Sequence, residues 1–204
     1  MGNTLTTNGN MTIFGQLVSM VDDNGGIICY GNVDWNNNST ANFTANSLFQ
    51  VYGHWFFNSG SNAQLSNGTV NFIGNNLSEV KSKSATCSFN NIYINKNNNT
   101  LKIISDANQP LVINGDIGIQ SNSGFTNDSQ QNIVCRGNFY NSGYYYLSDV
   151  NKLSTFIFDG TSQFIFMFSS SGYFQSPEDK PNNKANPWRK YSYNRRSDHR
   201  KWNT

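Results

Sequence analysis

The sequence predicts an all-β protein: a right-handed parallel β-solenoid of about seven to nine coils, with about 20–22 residues per coil. Three observations carry that expectation: a charge-poor, asparagine-rich composition, short alternating apolar strands, and a glycine-centred strand that recurs at fixed spacing. Only 13% of the 204 residues are charged, 14% are aromatic, and 35 are asparagine. Long solvated helices and coiled coils need Glu, Lys, Arg and Ala, so helical classes are excluded. A chain carrying 15 Phe, 10 Tyr and 4 Trp is equally unlike a disordered one.

The glycine-centred strand occurs as MTIFGQL (11–17), IICYGNVDW (27–35), FQVYGHWFF (49–57), LVINGDIGI (111–119) and IVCRGNF (133–139). Its glycines are Gly15, Gly31, Gly53, Gly115 and Gly137, so that spacings of 22 residues recur within a longer period of 84. Side chains alternate across a strand. Four and two residues before each glycine, and two after it, every residue is apolar: Ile27, Cys29 and Val33 around Gly31, for example, or Phe49, Val51 and Trp55 around Gly53. These positions face inward. The glycine shares their parity, where a side chain does not fit or the backbone must bend. A second motif, TVNFIG (69–74) and TFIFDG (155–160), repeats at an offset of 86 and adds Gly74 and Gly160 to the structural glycines. A third, FNNIYIN (89–95), feeds TLKII (100–104). Strands this short, separated by Asn/Gly/Ser turns and without helical crossovers, fit stacked coils better than a sandwich or barrel. Runs such as 36–38 and 97–99 mark corners, because asparagine tolerates left-handed backbone and stacked amides can bond coil to coil.

In order, SFNNIYIN (88–95), LVINGDIGI (111–119), VCRGNFYNSG (134–143) and TFIFDG (155–160), preceded by YGHWFFNSG (52–60) and GTVNFIG (68–74), are similar to the repeat of large secreted β-solenoid surface proteins of gliding-type bacteria. Those proteins often end in a type IX secretion sorting domain. The resemblance covers roughly residues 11–168. It implies an extracellular or cell-surface location, a structural or adhesive role without catalysis, and neighbouring solenoid repeats of a longer parent chain as partners. No signal peptide, sorting domain or membrane span is recognised in these residues.

Charge divides the chain into a solenoid at 1–175 and a basic tail at 176–204, expected to be disordered. Residues 1–176 hold six basic against nine acidic residues, and 177–204 hold eight against three. Back-translated and read one nucleotide forward, Trp188 and Trp202 with their following residues each force a glycine. Allowed codons between them restore a strand like LVINGDIGI, so the tail reads as a frame-shifted continuation of the repeat. The competing reading of Trp188, Arg189, Lys190, Tyr191, Tyr193, Arg195 and Arg196 as a binder of anionic polymer is weaker, and no nucleic-acid partner is expected.

No catalytic constellation emerges. The two histidines, His54 and His199, have no nucleophile and acid arranged around them, so the chain is expected not to be an enzyme. The cysteines Cys29, Cys87 and Cys135 show neither a disulfide framework nor metal-ligand spacing; Cys29 and Cys135 fall in the inward rank and read as core thiols. Asp22 and Asp23, the only adjacent acids in the solenoid, read as a turn, and neither metal nor cofactor is expected. The one surface candidate is Phe14, Tyr30 and Tyr52, each just before a glycine. On successive coils they form an outward aromatic ladder able to stack on a surface glycan, or simply to pair across strands. The expected function is a structural segment. A carbohydrate-binding or adhesive module using the outward aromatics is the alternative, and a β-helix polysaccharide-active enzyme or phage-type fibre the third.

Overall fold

A computed structural model describes residues 4–19, 26–84, 86–104, 110–129, 131–147 and 154–168. Twenty-one strands, numbered in chain order, pair only in parallel and wind as a β-solenoid. No helix occurs among the described residues. The expected tail at 176–204, like Asp22 and Asp23, lies outside them.

Three faces stack. The first holds eight rungs: β1 (Thr4–Thr7), β4 (Gly26–Cys29), β7 (Leu48–Val51), β9 (Thr69–Ile73), β12 (Asn91–Asn95), β15 (Ile117–Ile119), β18 (Phe139–Asn141) and β21 (Ile165–Met167). The second holds seven: β2 (Met11–Ile13), β5 (Val33–Trp35), β8 (Trp55–Phe57), β10 (Ser78–Ser82), β13 (Asn99–Ile103), β16 (Ser123–Asn127) and β19 (Tyr144–Leu147). The third begins as β3 (Gln16–Ser19) on β6 (Thr40–Phe43), and resumes as β11 (Ser88–Phe89), β14 (Leu111–Ile113), β17 (Ile133–Cys135) and β20 (Phe156–Phe158). Between the two stacks the face continues through the isolated bridges Thr40–Asn62 and Gln64–Ser88.

Along the first face Leu5, Ile27, Phe49, Val70, Ile92, Ile117, Phe139 and Ile165 lie in one register column. The coils therefore take 22, 22, 21, 22, 25, 22 and 26 residues, the two long ones exceeding the expected period. Between its exposed ends, Leu5 and Ile165, the inward rank is buried as alternation requires. Aromatic packing dominates the early coils, where Trp55 meets Phe49 at 5.1 Å and Phe89 at 5.4 Å between ring centroids. Isoleucines Ile92, Ile94, Ile103, Ile113 and Ile117 fill the middle, and Phe125, Phe139 and Phe156 the later coils.

Each glycine-centred segment proves to be two strands on different faces, with the glycine at the bend. Gly31 and Gly53 turn the chain from the first face to the second, Gly15 from the second to the third, and Gly115 and Gly137 from the third back to the first. The 84-residue repeat therefore advances three coils and two faces. It places equivalent residues at different corners.

Asx side chains explain the crowding at these bends. A corner peptide loses its ladder partner, and an orphaned N–H is costly. At one corner Asn32 N donates to Asn10 Oδ1 (2.9 Å), His54 N to Asn32 Oδ1 (2.9 Å) and Glu79 N to His54 Nδ1 (3.1 Å). At another Asp116 N donates to Asn91 Oδ1 (2.8 Å), Asn138 N to Asp116 Oδ1 (2.6 Å) and Phe164 N to Asn138 Oδ1 (2.9 Å). A Cβ on Gly53 would stand 2.5 Å from Asn32 Oδ1 and from the Gly31 carbonyl oxygen; one on Gly137 would stand 2.5 Å from Asp116 Oδ1 and the Gly115 carbonyl oxygen. Gly31 and Gly115 are crowded in the same way by Asn10 and Asn91. None of these four has a positive φ, so space alone demands glycine. Gly15 (φ +83°) has open space and is needed for its backbone conformation. Gly74 lies against the Tyr52 ring, and Gly160 against the Arg136 carbonyl oxygen. Left-handed Asn38, Asn98 and Asn122 (φ 62°, 66° and 61°) supply other corners.

Candidate functional site

Of the three predicted ladder residues, two come together. Tyr30 N donates to the Thr7 carbonyl and Tyr52 N to the Cys29 carbonyl, each at 3.0 Å, which sets the two residues one above the other. Their rings stack at 4.6 Å with 25° between planes. Gly74 closes the pile on the upper side. Phe14 does not belong to it. It is 77% exposed and stands at the bend from the second face to the third, whereas the tyrosines stand at the bend from the first to the second. Counting from glycines aligned Phe14 with Tyr30, but strand register aligns Gln16 with Thr40 and so places Phe14 beside the turn at 36–38.

A longer aromatic feature runs up the first face. The outward column there reads Thr6, Ile28, Gln50, Asn71, Tyr93, Gly118, Tyr140 and Phe166. Tyr140 and Phe166 stack at 5.2 Å and 3°. The Tyr93 ring lies against Gly118, where a Cβ would come within 2.6 Å of it. Between these ridges is a groove of about 430 Å³ lined by Tyr93, Tyr140, Phe168, Asp116, Gln120 and Ser142, among others. Asn91 Oδ1 holds the amide of Asp116, and Asp116 Oδ1 holds that of Asn138, so both polar residues at one end are fixed. Aromatic covering of a glycine recurs on the second face, where Tyr144 crosses Gly124 to reach Thr100 Oγ1 at 3.0 Å.

Inside the wall, Lys96 is fully buried, with no carboxylate bonded to it among the described residues. Its ammonium donates to the Ile73 carbonyl (2.7 Å) and to Ser78 Oγ (2.9 Å), which in turn donates to the Gly53 carbonyl (2.7 Å). Burial pulls its pKa from 10.5 down to about 8. Read from sequence, this lysine was only part of an asparagine-rich corner.

The cysteines are all buried, and none is in a disulfide. Desolvation pushes their thiols up, that of Cys135 to about 12, which keeps them un-ionised and unreactive at neutral pH. His54 stands at a corner, taking the place of an Asx residue. Its Nδ1 accepts the Glu79 amide, and the Glu79 carboxylate lies 3.7 Å from the same nitrogen. No cluster of His, Cys, Asp and Glu able to hold a metal ion occurs among the described residues. Nor do they include a helix long and apolar enough to cross a membrane. No protein-family model, no curated protein and no solved structure matches the chain.

Proposed function

We propose that the chain is a structural repeat segment of an extracellular or cell-surface protein, a stiff spacer without catalysis whose neighbours are further solenoid coils. The observation that carries this reading is the state of the last described rung. Ile165 and Met167 of β21 continue the inward columns of Phe139 and Asn141, yet they remain 44% and 37% exposed. They are the side chains a further coil would cover. Among the described residues β21 pairs with β18 alone, which leaves its other edge able to take a parallel strand.

The location rests on the resemblance of the repeat. Its test is a tagged copy expressed in the native cell, followed by surface biotinylation and protease shaving of intact cells. Labelling and shaving are expected, together with a rod-like scattering profile of the purified chain; retention inside the cell, or turnover of a polysaccharide panel, overturns the proposal. Glycan adhesion through the outward aromatics is the second reading. The stacking of Tyr30 on Tyr52 favours it, and pairing across strands accounts for the same contact.

A further inference from the structure

The first-face groove at Tyr93, Gly118 and Tyr140 has features that the stack itself does not require. The strands that carry Tyr93 and Tyr140 stand two rungs apart, about 10 Å. Between them the column carries only Gly118, and the Tyr93 ring lies over it, so the floor is the side of an aromatic ring on which a flat sugar ring can rest. Groups that donate and accept line the two ends. At one end are the amide of Asn91 and the carboxylate of Asp116, both held in place by the ladder. At the other are the Gln120 amide and Ser142 hydroxyl, half-buried and with no side-chain hydrogen bond among the described residues. Small-molecule sites are of this kind: apolar walls with a few convergent polar groups.

We infer that this groove binds a neutral glycan, with pyranose rings lying on the faces of Tyr93 and Tyr140 and hydroxyls bonded to Asp116, Gln120 and Ser142. A pyranose presents an apolar face of C–H groups and a polar rim, which suits aromatic walls and amide, carboxylate and hydroxyl ends. The sole charged lining residue is Asp116, and no lysine or arginine lines the groove. Uronic and sulfated polymers would therefore meet a negative charge without compensation. The site goes beyond the structural role and does not depend on it, since a spacer that binds no sugar is still a spacer.

The test is calorimetric titration of the full chain with cellohexaose, chitohexaose and laminarihexaose, with oligogalacturonate as the anionic comparison. At least one neutral oligosaccharide is expected to bind and to perturb tyrosine absorbance, and the anionic one is not. In Gly118→Ala the new Cβ meets the edge of the Tyr93 ring and no backbone, so that ring is displaced from the floor while the circular dichroism should match the parent. Affinity should fall about tenfold or more in that variant and in Gln120→Ala/Ser142→Ala. Failure of every neutral oligosaccharide to bind, binding unchanged in both variants, or preference for oligogalacturonate overturns the inference. So does self-association that is lost in Tyr140→Ala, which would give the face to a second copy.

Discussion

The bend through Gly31 and Gly53 and the bend through Gly115 and Gly137 are built from one sequence motif, yet they join different pairs of faces. At both, a side-chain oxygen of the coil below accepts the amide after the glycine and occupies the space of a Cβ. The motif therefore specifies a corner and is indifferent to which corner. What differs is the strand that follows. Gly53 leads into Trp55, Phe56 and Phe57, with Asn58 bonded to Asn36 at the next bend (3.4 Å). Gly137 leads into a segment one residue shorter, which puts Asn141 where Phe57 stood. A one-residue slip reverses the facing of all that follows. Asn141 is fully buried, and neither polar atom of its side chain has a hydrogen-bond partner among the described residues.

The comparison can be broken first at the glycines. Gly53→Ala and Gly137→Ala each force a Cβ onto backbone, and each should cost about 2–4 kcal/mol in urea unfolding. Gly15→Ala, with open space and only an unfavourable φ, should cost about 1 kcal/mol; equal losses at all three sites would sink the collision account. Lys96 tests a corner built without the glycine–Asx pair. With its folded pKa near 8 against 10.5 unfolded, the unfolded chain holds more protons between those values. Stability from this residue is therefore lowest below pH 8 and climbs towards pH 10.5, by about 3 kcal/mol. The stability difference between Lys96→Met and the parent, measured from pH 7 to 10, should shrink correspondingly in favour of the parent. A constant difference would mean that the ammonium is not desolvated.

Asn141→Ile sharpens the contrast with Phe57. It removes two orphaned polar atoms beneath Met167 and above Ile119, and should raise the urea midpoint by the equivalent of about 1–2 kcal/mol. Asn32→Ala, which leaves the His54 amide without its acceptor, should cost about 1 kcal/mol. Comparable losses in Asn138→Ala would show that the two bends are energetically alike.

Much of the fold was legible because alternation around a glycine reports burial directly: Cys29, Val51, Ile113 and Cys135 are all fully buried. Alternation says nothing, however, about which sheet a strand joins, so one motif at three bends looked like one column. That blindness placed Phe14 beside Tyr30. The groove was hidden for a related reason. Tyr93, Gly118 and Tyr140 are neighbours only through steps of 25 and 22 residues, and the first of these departs from the repeat. Lys96 was hidden because its burial depends on acceptors from the coil below, Ile73 and Ser78, that no local pattern connects to it.

The phase difference between repeat and coil bears on how such a chain would meet its surroundings. Each 84-residue unit falls one face short of a whole number of coils, so a longer array of these units would carry any given surface patch around the axis like a step on a spiral stair. About three units would bring it back to the same side. Duplication of a single segment could then present a contact in every direction around the rod, with no new sequence beyond the repeat itself.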